Sequence, residues 1–167
     1  MKKLITTAVA ILITACIAAF AGGETPVSVP QKHFNYQLSF TKIVVSGDID
    51  LQLKEDENKI IDFTGNDGDV ENADWKIKDD ALYLKSKKGS LKGKVHATIN
   101  VSHLSEIVIK GESTVSTAGY LVSPGLHVYI QAECFVAIKN AGEIYIVNSN
   151  DIDIGIKKVV GEVRVGR

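Results

Sequence analysis

The stretch that shows the pattern of this chain most clearly runs from Val128 to Val147 and reads Val-Tyr-Ile-Gln-Ala-Glu-Cys-Phe-Val-Ala-Ile-Lys-Asn-Ala-Gly-Glu-Ile-Tyr-Ile-Val. Apolar residues stand two apart in three short blocks, which begin at Val128, Val136 and Ile144, eight residues from one to the next. Because alternate side chains of a strand point to one face, each block predicts a short β-strand with one buried face. The Asn-Ala-Gly of residues 140–142 predicts a turn between the last two blocks.

The same alternation runs through the chain from Phe40 onward. No stretch of about a dozen residues there shows the spacing of an amphipathic helix, so the sequence predicts an all-β protein. The other apolar pairs that mark predicted strands are Ile43 with Val45, Leu51 with Leu53, Ile61 with Phe63, Leu82 with Leu84, Ile99 with Val101, Ile107 with Ile109, Ile152 with Ile154, and Val163 with Val165.

Two β architectures fit this pattern. Regular short strands, with similar Glu-Ile-x-Ile or Glu-Val-x-Val text at residues 105–111, 142–148 and 161–166, would suit the coils of a β-solenoid. A β-sandwich is also built from short strands with turns about every 8–12 residues. The periodicity alone leaves both architectures open.

Several blocks, taken in order, resemble a known family. Residues 40–53 read Phe-Thr-Lys-Ile-Val-Val-Ser-Gly-Asp-Ile-Asp-Leu-Gln-Leu, which is an aromatic residue, a strand ending in Ser-Gly and an alternating strand closing with Leu-x-Leu. Residues 104–113 read Leu-Ser-Glu-Ile-Val-Ile-Lys-Gly-Glu-Ser, and strand-like blocks at residues 80–85 and 95–101 lie between. Over residues 40–167 this order is similar to that of the putative auto-transporter adhesin, head GIN domain family.

The resemblance implies a right-handed parallel β-helix-like fold in an exported, envelope-associated bacterial protein. It brings no catalytic motif with it. Because the strand pattern continues to the last residues, an uncapped coil would expose unpaired backbone groups. We therefore expect either end-to-end self-association or cover of that coil by residues 22–36.

The first residues predict an export signal. Lys2 and Lys3 precede an uncharged apolar run of 16 residues, 4–19, which is shorter than the roughly 20 residues of a membrane-spanning helix. Two processing routes fit: cleavage between Ala21 and Gly22, or lipidation of Cys16 as in bacterial lipoproteins. We expect export to the periplasm, the outer membrane or cell surface, or the medium, with membrane contact only through a lipid on Cys16.

The segment after the signal predicts a linker. Pro26 and Pro30 lie in it and it shows no clear periodicity, which is typical of an extended tether. The predicted organisation is therefore a signal peptide at residues 1–21, a linker at residues 22–39 and a head GIN-like β-solenoid domain at residues 40–167.

Composition excludes several classes of function. The 167 residues are 45% hydrophobic, which fits one globular domain. Lys and Arg number 19 against 20 Asp and Glu, so no basic excess points to a nucleic-acid partner. Removal of the signal leaves Cys134 as the remaining thiol, and its apolar neighbours are typical of a buried cysteine rather than a nucleophile.

Metal sites and cofactors are not predicted. Asp48 with Asp50, and Asp151 with Asp153, place carboxylate pairs on one strand face, whereas calcium needs about 6–8 oxygen ligands. The four histidines, His33, His96, His103 and His127, lack metal-ligand spacing. The lysine-rich residues 85–94 are typical of a solvated loop.

Three tyrosines form the candidate ligand face. Tyr83, Tyr129 and Tyr145 each lie between two inward apolar residues and should point outward. Rings gathered on one face would mark a binding surface, although cross-strand packing alone gives the same pattern. We therefore expect a non-enzymatic, adhesin-like module that binds a protein or a glycan. A structural envelope component acting by self-association is the alternative. A polysaccharide-acting enzyme is less favoured because it rests on fold analogy alone.

Overall fold

The computed structural model describes residues 30–37, 39–86, 94–148 and 157–165. Twelve strands and one short helix lie in these ranges, which confirms the all-β prediction. In chain order the elements are β1 (Gln31–Asn35), β2 (Lys42–Ser46), β3 (Ile49–Glu55), β4 (Ile60–Thr64), α1 (Asp67–Asn72), β5 (Ala73–Lys78), β6 (Ala81–Ser86), β7 (Val95–Val101), β8 (Glu106–Ile109), β9 (Thr114–Leu121), β10 (Gly125–Ile130), β11 (Phe135–Asn148) and β12 (Lys157–Val165).

The strands form one mixed sheet in the order β1-β4-β7-β3-β9-β11-β10-β8-β2-β6-β5, with β12 added to β11. Parallel pairs make up two rows. The first row is β6, β2, β8, β10 and residues 143–148 of β11. The second row is β7, β3, β9 and residues 135–140 of β11. β2 leads directly into β3, β8 into β9 and β10 into the first half of β11, so each of these pairs forms one coil.

The long strand β11 joins the two rows. Its first half pairs with β9 and its second half with β10, and its register against β12 shifts between Asn140 and Glu143. The predicted turn at residues 140–142 is therefore wrong, since the Asn140 side chain caps neighbouring backbone and the strand continues. The two rows are one curled, half-barrel sheet, and this is neither clearly a right-handed parallel β-helix nor clearly a β-sandwich.

Antiparallel strands lie at the ends of the rows. β12 runs antiparallel along both halves of β11, and Val163 lies opposite Ile138. Val163 and Val165, which mark a predicted strand, lie in this strand that covers the last coil. Residues 31–35 instead add to β4 as β1, away from that end. We expected residues 22–36 to cover the last coil. The described part of that segment, residues 30–36, does not cover it.

Inward side chains from both rows form a single apolar cluster. Each apolar pair predicted for β2, β3, β4, β6, β7, β8, β10 and β11 is buried in it, and the fully buried members include Ile43, Leu51, Phe63, Leu84, Ile99, Ile107 and Ile138. Burial of one such side chain contributes roughly 1.5–3 kcal/mol, so this shared face is the main stabilising feature of the sheet.

Part of the predicted linker belongs to the sheet. The Phe34 ring of β1 packs edge-on against Phe63, at 6.1 Å between ring centroids, and against Trp75, at 5.6 Å. Tyr36 is buried, and its hydroxyl donates a hydrogen bond of 2.6 Å to the Asn100 carbonyl. These two rings explain the difference, because burying them favours an ordered strand over a solvated tether.

Because of Tyr36, the stability of the fold should change with pH in the alkaline range. Burial raises its pKa to about 12, against about 10 in an unfolded chain. Between these values the folded protein keeps a proton that the unfolded chain loses, so the free energy of unfolding falls as pH rises, by up to about 1.4 kcal/mol per unit. Urea unfolding at pH 9 and pH 11 should show a smaller loss in Tyr36→Phe than in the parent or in Tyr120→Phe. Equal losses in all three proteins would contradict this assignment.

The helix α1 covers residues 67–72. Val70 is buried and anchors it against the core. None of the helical structure in the described ranges is long and apolar enough to cross a membrane.

Candidate functional site

The first-row side chains that face away from the core form what we term the outer face. Tyr83, Val44, Val108 and Tyr129 lie directly opposite one another on β6, β2, β8 and β10. Because neighbouring strands are about 4.8 Å apart, three spacings put the two tyrosine backbones about 14 Å apart. The outer face therefore carries a line of two rings with two valines between them.

This line forms the bottom of a shallow groove of about 240 Å³. Val44 and Val108 are each only 5% exposed although they point away from the core, so the longer side chains around them cover them. The groove is lined by Lys42, Val44, Tyr83, Glu106, Val108, Lys110, Tyr129 and Gln131. An apolar floor with polar groups around it is the usual make-up of a small-ligand site.

An ion pair closes one side of the groove. Lys42 and Glu106 lie opposite each other on β2 and β8, with 2.6 Å between Nζ and Oε1. The hydrogen bond from this ammonium to the Glu106 carboxylate raises the pKa of Lys42. Both side chains are about one-third exposed, at 37% and 31%, so the pair orients the rim more than it stabilises the fold.

A stack of three rings continues the outer face beside the groove. His127 stacks on Tyr145 at 4.8 Å between centroids and 14° between planes, and on Tyr129 at 6.4 Å and 16°. The Tyr145 hydroxyl donates a hydrogen bond to the Glu143 carboxylate. Tyr145 therefore lies outside the groove and extends its aromatic surface through His127.

Cationic side chains lie around the groove. The Lys76 Nζ lies 5.6 Å from the centre of the Tyr83 ring, within cation–π distance. Lys110 is exposed and lines the groove, next to Gln131. Among the described residues no carboxylate is within ion-pair distance of Lys76, Lys85 or Lys110. The outer face thus presents positive charge that Glu106 does not offset.

The carboxylates Asp48 and Asp50 are adjacent to cations. Lys94 Nζ lies 3.7 Å from Asp48 and 3.5 Å from Asp50, and His96 Nδ1 lies 3.3 Å from Asp50. No group of three or more His, Cys, Asp or Glu side chains in the described ranges could hold a metal ion. This pair therefore joins a surface charge cluster.

The remaining candidates have local roles. His33 pairs with Asp62 at 2.5 Å, and His103 adopts a positive φ of 59° in a loop. Cys134 packs against the core, and burial raises the pKa of its thiol. Ala21, Gly22, Cys16, Ile152 with Ile154, Asp151 with Asp153, and residues 87–93 lie outside the described residues.

The structure places Tyr83 and Tyr129 in one groove. Predicting this would have required the register between the strands. The sequence pattern showed that each ring points outward but not that β2 and β8 lie between them. It also missed Val44, Val108 and the ion pair. The sequence does contain a signal for the two valines. Each lies between the two inward apolar residues of its strand, as the tyrosines do on theirs, and therefore points outward.

Comparison with known proteins identifies the family. A family described as "Putative auto-transporter adhesin, head GIN domain" matches residues 39–163, most of the chain. A comparison with curated protein sequences found no match.

Solved structures share the fold. A putative adhesin from Parabacteroides merdae superposes with a TM-score of 0.61 at 19% identity, over 74% of this chain and 52% of that one. One from Parabacteroides distasonis gives 0.57 at 16% identity, over 72% and 56%. One from Bacteroides fragilis gives 0.51 at 17% identity, over 72% and 62%. The chain thus spans between half and two-thirds of the length of these proteins. It is a member of the putative auto-transporter adhesin, head GIN domain family.

Proposed function

We propose that this protein is an exported, non-enzymatic binding module of the cell envelope or surface, and that it holds its ligand in the groove of the outer face. The observation that carries this proposal is the line Tyr83-Val44-Val108-Tyr129 at the groove bottom. The two rings in this open groove provide contact area for a protein side chain or a sugar, and the family description supports an adhesin-like role.

A non-enzymatic role fits the composition of the groove. Glycosidases use two carboxylates on either side of the scissile bond. Among the eight lining residues Glu106 is the single carboxylate, and Lys42 pairs with it. Among these lining residues no second carboxylate faces Glu106 across the groove.

Self-association is the alternative function, and it could occur by pairing between the edge strands of two copies of the sheet. β1 and β5 end the strand order. Their exposed side chains include Lys32 and His33 on β1, and Asp74, Lys76 and Lys78 on β5. Charged side chains on an edge strand oppose the addition of another strand. We therefore favour ligand binding over strand-to-strand assembly.

We also infer that the curled sheet is wound as a right-handed, β-helix-like coil. β8 leads through β9 of the second row to β10, its parallel neighbour in the first row. Crossovers between parallel neighbours are right-handed in nearly all proteins. This supports the right-handed coil that the family resemblance implies.

The binding proposal predicts that a double variant of the two groove tyrosines binds the ligand more weakly. Immobilised full-length protein would be exposed to glycan and protein arrays prepared from envelopes and cell surfaces. Ligands retained by the parent should bind at least about tenfold more weakly to Tyr83→Ala/Tyr129→Ala, because aromatic anchors dominate small interfaces. Tyr120→Ala removes an equally large ring that is 58% exposed on the second row and should bind as the parent does. Unchanged binding by the double variant would refute the assignment of the groove.

Export predicts a processed protein in a defined cell fraction. The intact mass of the native protein should correspond either to a chain that begins at Gly22 without lipid, in the periplasm or medium, or to one that begins at an acylated Cys16, in membranes. Residues 22–30 would then act as the spacer between the envelope and β1. A full-length mass in the cytoplasmic fraction would contradict export.

A further inference from the structure

We propose that the groove of the outer face selects acidic saccharides, with the sugar rings lying on Tyr83 and Tyr129 and a sugar carboxylate beside Lys110. This inference rests on the proposed function and names the chemical class of ligand. Its three parts concern charge, ring geometry and the size of the site.

The charge around the groove is opposite to that of the chain. The whole chain has a net charge of −1. The charged residues that line the groove are Lys42, Glu106 and Lys110, and Lys76 lies over the Tyr83 ring. Glu106 offsets Lys42. Lys76 and Lys110 then remain as unbalanced positive charges, which favours an anionic ligand.

The positions of these two lysines match a ring-bound anion. Lys76 lies over the Tyr83 ring, at one end of the line. Lys110 and Gln131 directly follow β8 and β10, and they lie on the opposite rim from Lys42 and Glu106. A sugar whose apolar face lies on Tyr129 would thus direct an equatorial carboxylate to the Lys110 ammonium and its hydroxyls to the ion pair.

The size of the site favours a saccharide over a protein surface. A stable protein interface buries about 1,600 Å² around a buried core that is more apolar than the rest of the surface. The exposed large apolar side chains of the described chain are Tyr120, Val122 and Phe135, and they belong to β9, the loop after it and the start of β11, not to the groove. A groove of about 240 Å³ instead fits individual sugar rings.

The distance between the rings predicts a preference for oligosaccharides. Tyr83 and Tyr129 are about 14 Å apart at the backbone, with the valines between them. One sugar ring cannot cover both tyrosines, whereas a short oligomer can. We therefore expect an oligomer of an acidic sugar to bind more tightly than its monomer.

The test uses calorimetric titration of the full-length protein with defined probes. The acidic probes are oligogalacturonate, which carries a uronic acid, and sialyllactose, which carries a sialic acid. Lactose is the neutral counterpart of sialyllactose, and polyglutamate is an anion that is not a sugar. We expect at least one acidic saccharide to bind at least about tenfold more tightly than lactose, and polyglutamate not to compete.

Variants separate the ring contribution from the charge contribution. Tyr129→Ala should weaken binding of the acidic saccharide by at least about tenfold. Lys110→Gln should weaken binding of the acidic saccharide by about fivefold and leave lactose binding unchanged. In high salt the parent and this variant should bind the acidic saccharide equally. Lys32→Gln on β1, outside the groove lining, and Tyr120→Ala are the matched controls and should bind as the parent does.

The outcomes divide clearly. Tight acidic binding that both groove variants weaken supports the inference, and the better of the two acidic probes identifies the sugar. Equal binding of neutral and acidic saccharides, or competition by polyglutamate, overturns the acidic-saccharide inference while groove binding stands. Capture of proteins but no saccharide through Tyr83 and Tyr129 also overturns it and leaves the proposed function intact. No ligand of any class in the groove overturns both.

Discussion

A Gly111→Ala variant is expected to lose about 3 kcal/mol of unfolding free energy, at the upper end of the cost of overpacking. A β-carbon at Gly111 would lie 2.3 Å from the Gly47 nitrogen, 2.5 Å from its oxygen and 2.8 Å from its α-carbon. These are backbone atoms of the adjacent coil, so no side-chain rotation relieves the clash.

The adjacent coil cannot move away easily. Gly47 has a φ of +93°, and a β-carbon on it would in turn lie 2.3 Å from the Ser86 hydroxyl. That hydroxyl accepts a hydrogen bond of 2.9 Å from the Asp48 N–H, and the Ser113 hydroxyl donates one of 2.8 Å to the Gly47 carbonyl. Three coils are therefore in close contact at this corner, and separating them breaks hydrogen bonds on both sides of Gly47.

Urea unfolding followed by the fluorescence of Trp75, the single tryptophan, measures this loss. Gly119→Ala is the matched control, because nothing lies within 4 Å of a β-carbon there and its backbone is not in the left-handed region. The control should change stability by no more than about 0.5 kcal/mol. A loss below about 1 kcal/mol in Gly111→Ala would mean that the corner relaxes and that its close spacing is not essential.

An Asn140→Ala variant is expected to lose a similar amount, about 3 kcal/mol, for a different reason. Asn140 is fully buried, and its amide makes three hydrogen bonds to backbone. Its Oδ1 accepts from the Ser123 N–H at 3.1 Å, and its Nδ2 donates to the Ser123 carbonyl at 2.9 Å and the Glu143 carbonyl at 3.1 Å. Alanine leaves these groups without the amide, and each unsatisfied buried group costs about 1–3 kcal/mol.

Two further variants test the same assignment. Asn140→Asp keeps the acceptor, removes the donor and buries a charge, so it should destabilise at least as much as alanine. Asn72→Ala removes an amide that donates to the Gly68 carbonyl at the surface and should cost no more than about 0.5 kcal/mol. If Asn140→Ala unfolds at the same urea concentration as the parent, the link that this amide makes between β11 and the loop before β10 contributes nothing to stability.

The fold was predictable where apolar spacing alone decides it. The predicted pairs of β2, β3, β6 and β8 are all buried, because a period of two fixes which side chains face the core. Strand direction was not predictable in the same way. Val163 fits a further parallel coil as well as it fits the antiparallel strand β12, since alternation carries no information on direction.

The missed elements have other local causes. The strand β5 was missed, although its inward residues Trp75 and Ile77 alternate with polar ones. The strand β9 has small and polar residues at several positions, and its single fully buried residue in the first half is Val115. At residues 140–142 the turn-forming residues serve other purposes. Asn140 bonds to neighbouring backbone, and Gly142 leaves room for the carbonyls of Ser123 and Pro124.

The candidate site was predictable only as single residues. Tyr83 and Tyr129 are 46 positions apart in the chain, and no spacing rule connects them. They share a groove because β2, which precedes both of them, lies between β6 and β8 in the sheet. Such order is set by long-range pairing that one sequence does not display.

The interior positions of β2 and β3, each with a neighbour on both sides, also determine when the sheet can form during synthesis. These strands are made early, yet β2 pairs with β6 and β8, and β3 pairs with β7 and β9. Both neighbours of each strand are complete only when the chain has been made as far as Leu121. Pairing between strands so distant in sequence is slow, and open edges attract other chains while they wait. Two interior strands of this sheet, β2 and β3, are therefore translated early and closed on both sides late.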